Sequence, residues 1–305
     1  MLKRIFWSML LPILVLVNIS WAQTNSAANE DVEKCLELCK SSLQKGETDK
    51  AISYGEKAVE LDKNSSAAYL ILGMAYGQKA QEASIFKKLS YAKKCKAAWE
   101  KTLQIDGQNT EAMQYLISYH MSAPGIAGGD KETAKSLAVE LGKIDAGLGH
   151  LALARIFESQ KKFPKAEEEY RKAAESDPQK TDYYFALSLF YMNQKEYGKA
   201  GDALLRIREK DPQDTRVIYQ LGKIALLSGK DLEKGLAYFE AYLNVQPKLN
   251  APTWADACWR RGLIYEKLGD MAQAEAEYQK ALKLNHEHKG AQEALAKIKK
   301  SAKNP

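Results

Sequence analysis

Residues 166–178 read AEEEYRKAAESDP and residues 200–212 read AGDALLRIREKDP. Each stretch sets a small residue, a large one four positions on, an apolar one three after that, and then an Asp-Pro stop. In the first these are Ala166, Tyr170, Ala173 and Asp177-Pro178; in the second, Ala200, Leu204, Ile207 and Asp211-Pro212. Steps of four and three keep side chains on one face of an α-helix. Proline then ends the helix, because it has no amide hydrogen and its ring clashes with the preceding turn. The two copies are spaced by about 34 residues, the period of an array of helix-turn-helix units. In such an array each unit spends its apolar face on its neighbours, so binding rather than chemistry is the expected use of the surface.

Small anchors of the second-helix type recur at Ala51, Cys95, Ala134, Ala166, Ala200, Gly235 and Ala274. A first-helix signature stands at Tyr69, Leu72-Gly73 and Tyr76, and again at Ile218 and Leu221-Gly222. With these residues the chain resembles the tetratricopeptide repeat (TPR) family over about residues 31–286. The resemblance implies an all-α fold, a right-handed superhelix of about seven antiparallel helix pairs. Gly73 and Gly222 would let the second helix of each pair approach, and Tyr170, Phe239 and Tyr278 are expected to pack outward onto the following repeat. The closing face needs a cap. Residues 290–300 supply one, with Ala291, Ala294, Leu295 and Ile298 on one side and lysines on the other. Alternating β-branched runs, the mark of strands, are absent outside the first segment.

That first segment is of another kind. Lys3 and Arg4 precede an apolar run from Ile5 to Val17, and Ser20-Trp21-Ala22 offers small residues at a cleavage site. The run falls short of the ~20 residues that span a bilayer. It reads as a secretory signal peptide over residues 1–22, with an uncleaved anchor as the alternative. Residues 23–31 then form a polar lead-in, 32–286 the solenoid, and 287–305 the capping helix and basic tail. An exported bacterial protein, periplasmic or secreted and with no stable membrane anchor after cleavage, is the expected setting. Loss of Lys3 and Arg4 lowers the net charge of +6 by two, to +4. That mild charge does not suggest nucleic acid. The lysines gathered at Lys87–Lys101 and near the C-terminus read as solvated helix faces.

Sites of chemistry are few. The sequence holds no HExxH, G-x-S-x-G or P-loop pattern. No catalytic residue, metal ligand or cofactor is therefore assigned, and the chain is not read as an enzyme. Cys35 and Cys39 share a helix face and would suit a soft metal, but both occupy inward positions, as do Cys95 and Cys258. His286 and His288 are expected in a solvated turn. The loop Ala123–Asp130 is glycine-rich without a phosphate-binding context; Asp130 reads as the N-cap of the next helix, and Pro124, Ile126 and Asp130 as residues that could touch a partner. From Gln81 to Gln104 no glycine or proline appears, so helix is expected to continue there, adding about three turns to the second repeat's helix pair as an elongated hairpin.

In repeats of this kind the first helices line the concave groove. The register places Leu70, Gln114, Leu151, Phe185, Tyr219 and Trp259 in it, followed one turn later by Met74, Ser118, Arg155, Leu189, Lys223 and Leu263. Phe185, Tyr219 and Trp259 would form an open aromatic ladder flanked by the cations Arg155 and Lys223. Aromatics and arginine dominate protein interfaces. The expected partner is a protein or peptide segment with apolar and acidic groups. Two alternatives keep the same fold: an accessory component of envelope polysaccharide or solute export, and a cysteine-based metal-binding protein.

Cleavage after Ala22 predicts a mature chain beginning at Gln23. Intact mass of protein recovered from an exporting host measures this. A membrane-bound species that keeps residues 1–22 would show an anchor instead.

Overall fold

The structure, a computed structural model, describes residues 30–247 and 251–301. The expected signal peptide and residues 23–29 of the lead-in lie outside the described residues; Glu30 and Asp31 are already helical. Among the described residues there are fifteen α-helices and no strand. They follow one another along the chain and end in a closing helix, an all-α solenoid arrangement.

The chain divides into two compact units between Lys162 and Phe163. The first holds α1 (30–44), α2 (Thr48–Leu61), α3 (Ser66–Glu82), α4 (Ile85–Ile105), α5 (Thr110–Ser122), α6 (Lys131–Ile144) and α7 (Ala146–Ser159). The second holds α8 (Phe163–Ser176), α9 (Thr181–Asn193), α10 (Tyr197–Arg208), α11 (Thr215–Ser228), α12 (Leu232–Leu243), α13 (Trp254–Leu268), α14 (Met271–Leu284) and α15 (Lys289–Ser301). From α2 to α7, and from α8 to α15, each helix packs on its successor. α5 also touches α7, and α11 touches α13, so first helices of adjacent pairs lie side by side.

Short polar side chains start the helices. Ser65, Asn109, Asp130, Asp145, Asp214 and Asp270 each accept a hydrogen bond from an amide of the first turn that follows. Thr253 and Asp256 form a reciprocal capping box on α13. Asp130 thus caps α6 as its position in the sequence indicates.

Every second-helix anchor, from Ala51 to Ala274, is buried. What fills the space above each small first-helix residue differs from expectation. A methyl group added at Gly73 would lie 2.3 Å from Trp99 Nε1, at Gly222 2.9 Å from Phe239, and at Gly262 2.3 Å from Tyr278. Phe239 and Tyr278 therefore turn inward onto the glycine of their own pair and are fully buried. Tyr170 does reach the next repeat, with its ring 5.1 Å from that of Phe190. The inward rings bury more apolar surface than an outward position would, at roughly 25 cal/mol per Å².

The second-repeat extension is present as an elongated helix pair, but helix does not run unbroken from Gln81 to Gln104. α3 runs 17 residues and α4 runs 21, and both Ala83 and Ser84 between them are extended. The reversal brings Tyr76 of α3 against Cys95 and Trp99 of α4 in one buried cluster. An unbroken helix would carry those residues apart, and that burial outweighs the local preference of 81–104 to stay helical.

Alanine normally favours a helix over glycine by ~1 kcal/mol. Gly73→Ala and Gly262→Ala are nonetheless expected to destabilise by ~1–3 kcal/mol, because the added methyl meets a buried ring. Gly201→Ala on α10 meets nothing within 4 Å and is expected to stabilise. Thermal unfolding of the three variants tests the packing; a stabilised Gly262→Ala would refute it.

Candidate functional site

In the first unit, α5 and α7 bound a pocket of about 290 Å³. Four of the predicted groove residues line it: Gln114 and Ser118 from α5, Leu151 and Arg155 from α7. Each pair is one helical turn apart, so both side chains fall on the same face. Ile117, Met121, Leu148 and Ala152 add an apolar floor. Ser118 and Arg155 are exposed at the rim. Arg155 makes no ion pair among the described residues, so its guanidinium is available for an acceptor. Gln114 Nε2 donates to the Thr110 carbonyl at 3.2 Å.

Leu70 and Met74 do not join this pocket. Both are half-buried on α3 and packed against the hydrophobic clusters of the first three helix pairs. Pro124, Ile126 and Asp130 are exposed on the loop after α5. That loop is tied down: the Tyr119 hydroxyl donates to the Ala127 carbonyl, and Gly128 takes a left-handed φ of 84°. The Asp130 carboxylate accepts from the Thr133 hydroxyl at 2.6 Å and from the Glu132 amide. Those bonds, the Thr133 one first, hold its carboxyl below the usual range. Ile126 stays 78% exposed at the tip.

In the second unit the aromatic ladder is not open. Tyr219 is 4% exposed, with its ring 5.4 Å from Phe239 and 5.0 Å from Tyr242. It is a core residue whose hydroxyl alone reaches the surface side, where it accepts from Arg260 Nε at 2.7 Å. The register sets Tyr219 in the groove, but its ring packs down against Phe239 and Tyr242 of α12 instead of standing open.

Cations lie between the aromatics. The Arg216 guanidinium sits 5.0 Å from the Phe185 ring and pairs with Asp182 at 2.6 Å and Asp214 at 2.7 Å. Arg260 lies 5.7 Å from the Tyr219 ring and 4.9 Å from that of Trp259. Cations over aromatic faces are attracted by the ring quadrupole. Lys223 and Leu263 are half-buried on α11 and α13, and Leu189 on α9. Sequence reasoning missed Arg216 and Arg260. The signal was available: both fall on first helices, three positions before Tyr219 and one after Trp259.

The two histidines near the closing helix separate. His286 is exposed, as a solvated turn requires. His288 is not: its ring lies 5.4 Å from that of Trp259, Nε2 lies 3.3 Å from Asp256 Oδ1, and Nδ1 accepts from the Ala291 amide at 3.1 Å. An accepting Nδ1 puts the neutral ring's proton on Nε2, facing the carboxylate. His288 is thus the N-cap of α15 and ties the closing helix to α13. Burial would raise the Asp256 carboxyl, but bonds from Thr253 and His288 outweigh it and hold it low.

All four cysteines are buried thiols. Cys39 Sγ donates to the Ala51 carbonyl at 3.1 Å, and Cys95 Sγ to that of Ala92 at 3.0 Å. Burial pushes the Cys39, Cys95 and Cys258 thiols up to about 11. They are packing groups rather than nucleophiles.

Sequence comparison places tetratricopeptide repeats in the chain. One model of that repeat matches residues 151–215 and another residues 255–288. Among proteins of curated function, none matches by sequence. Solved structures with the same architecture include a tetratricopeptide repeat protein from Parabacteroides merdae, 13% identical, with a TM-score of 0.53 over 88% of this chain and 99% of that one. Another is pilF of Pseudomonas aeruginosa, 14% identical, with a TM-score of 0.50 over 89% of this chain and 99% of that one. At such identities the likeness is one of fold. No helix among the described residues is long and apolar enough to cross a membrane.

The raised thiols carry a pH signature. Their native values exceed the ordinary thiol value of 9.0, so the stability they contribute is complete below pH 9 and is lost as pH rises through about 11. Denaturant unfolding between pH 8 and about 11 is expected to show this decline. Replacing Cys39, Cys95 and Cys258 by alanine should make it shallower, with Tyr76, Tyr191, Tyr242 and Tyr278, pushed up by burial, supplying the remainder above about pH 10; an unchanged slope would assign the whole decline to those other groups.

Proposed function

We propose that this chain is a non-enzymatic scaffold that binds another protein or a peptide, exported to a bacterial envelope and working there without a stable membrane anchor. Tetratricopeptide repeats favour a protein- or peptide-binding role. The export part of the reading rests on residues 1–22, with their basic start, short apolar run and Ser20-Trp21-Ala22 ending.

One observation carries the binding part: the pocket between α5 and α7, where an apolar floor meets an unpaired Arg155. Burying one Leu- or Phe-sized side chain in such a floor is worth ~1.5–3 kcal/mol. A guanidinium at the rim adds charge-assisted hydrogen bonds to a carboxylate beside that anchor. The partner segment then presents an apolar residue next to an acidic one.

Ser118 is exposed, so a larger side chain there fills the pocket without entering the core. Ser118→Trp and Arg155→Glu are each expected to lower partner recovery at least about tenfold, a loss of ~1.4 kcal/mol or more. Recovery is measured by crosslinking and co-purification from an envelope fraction, with melting temperature as the control. Unchanged recovery with both variants would remove the pocket from the binding surface.

A further inference from the structure

The second unit holds two cations that form no ion pair among the described residues. Lys223 on α11 and Arg260 on α13 are both half-buried. The other arginines around them are neutralised: Arg216 by Asp182 and Asp214, Arg261 by Glu240 at 2.6 Å. Neither Lys223 nor Arg260 has an ion pair among the described residues. The acid one turn before Arg260 is Asp256. Its carboxylate already accepts from the Thr253 amide at 2.7 Å and the Thr253 hydroxyl at 2.6 Å, and faces His288 Nε2.

Arg260 is held in place. Its Nε donates to the Tyr219 hydroxyl, and its plane lies near the Tyr219 and Trp259 rings. That fixes the guanidinium while its two terminal nitrogens make no hydrogen bond among the described residues. Lys223 stands one helical turn after Tyr219 on α11, on the face from which Tyr219 meets Arg260, and α11 packs against α13. Burial first, and then the Arg260 charge, push the Lys223 amine below the usual lysine range. Two like charges brought together in a half-buried place are unfavourable unless an anion joins them.

We propose that Lys223 and Arg260 together form a carboxylate-binding subsite that takes an aspartate or glutamate side chain from within a bound peptide. This rests on the reading of the chain as a peptide- or protein-binding scaffold. The planar pair of terminal N–H groups on arginine matches a carboxylate, and lysine supplies a point charge beside it. The occupant is an internal residue rather than a chain end, because apolar groups lie to both sides. Phe185 and Leu189 on α9 stand before the subsite, linked to α11 through Arg216, and Trp259 and Leu263 on α13 stand after it. A peptide crossing α9, α11 and α13 continues past the cations in both directions.

The test is a selection on the full mature chain from random short segments, displayed as fusions that leave no free C-terminal carboxylate. Selected segments are expected to be enriched in Asp or Glu flanked by apolar residues. A synthetic peptide of the selected sequence, blocked at both ends, should bind about tenfold or more weakly to Lys223→Met and to Arg260→Met, the scale of a lost charge-assisted hydrogen bond. Its Glu→Gln form should lose at least as much on the wild type, and less on Lys223→Met, where Arg260 alone remains to meet the carboxylate. Lys223→Met should melt no lower than the wild type, since it removes a half-buried, unpaired charge; this keeps the result readable if Arg260→Met disturbs Tyr219.

Enrichment without acids, or equal losses for the Glu and Gln peptides, would overturn the subsite and leave the scaffold reading standing. Acidic enrichment only in a library with free C-termini would overturn the side-chain assignment. Failure to enrich any segment over a scrambled control would overturn both readings.

Discussion

The contact on which the rest depends is that between a first-helix residue and the side chain that the second helix lays over it. In three pairs this is glycine beneath a ring: Gly73 under Trp99, Gly222 under Phe239, Gly262 under Tyr278. Other pairs conserve the volume and exchange the partners. Ile117 takes the place of the glycine on α5, and the facing residue on α6 shrinks to Ala138, in the same buried cluster. Ser188 takes it on α9, and the position four after the anchor on α10 becomes Leu204; both are fully buried. A core at near-crystalline density tolerates such reciprocal swaps far better than a one-sided change. Each of these pairs thus closes its own core although the residues differ, and neighbouring first helices touch where α5 meets α7 and α11 meets α13.

How each first-helix side chain packs governs what these helices can present. Between α5 and α7 the side chains leave a pocket, because Leu151 and Ala152 stay low and Ser118 is short. Between α11 and α13 Tyr219 packs down onto Phe239 and Tyr242, and Arg260 bonds its hydroxyl. One architecture thus offers two kinds of surface, a hole for an apolar group in the first unit and a charged platform in the second.

Much of the fold was legible in the sequence, because it is written in local steps. The anchors at Ala166, Ala200 and Ala274, the Asp130 cap and the closing helix each follow from spacing of three and four or from one capping residue. The pocket residues Gln114, Ser118, Leu151 and Arg155 came from the same register. What was not legible depends on contacts across helices. Whether a ring at Phe239 faces its own pair or the next is decided by Gly222 on another helix. The break at Ala83–Ser84 carries no glycine or proline; it is set by Tyr76 meeting Trp99. His288 reads as a solvated histidine until Asp256 and Trp259, about 30 residues earlier, are placed beside it.

The arginines illustrate the same limit and its consequence. Arg216 belongs to α11 yet covers a ring of α9; Arg260 belongs to α13 yet bonds a hydroxyl of α11. Each spans neighbouring repeats, so it fastens the row of first helices while remaining part of the surface. Such a residue has two roles that pull against each other. Paired with acids, as Arg216 is, it serves the row and has little charge left for a ligand. Bonded only to a neutral hydroxyl, as Arg260 is, it fastens the row and keeps its charge. The neighbouring half-buried Lys223 adds to a desolvation cost that the free protein carries without return. A ligand carboxylate would offset that cost at the moment of binding, so the strain of the empty face becomes part of the affinity for the occupied one.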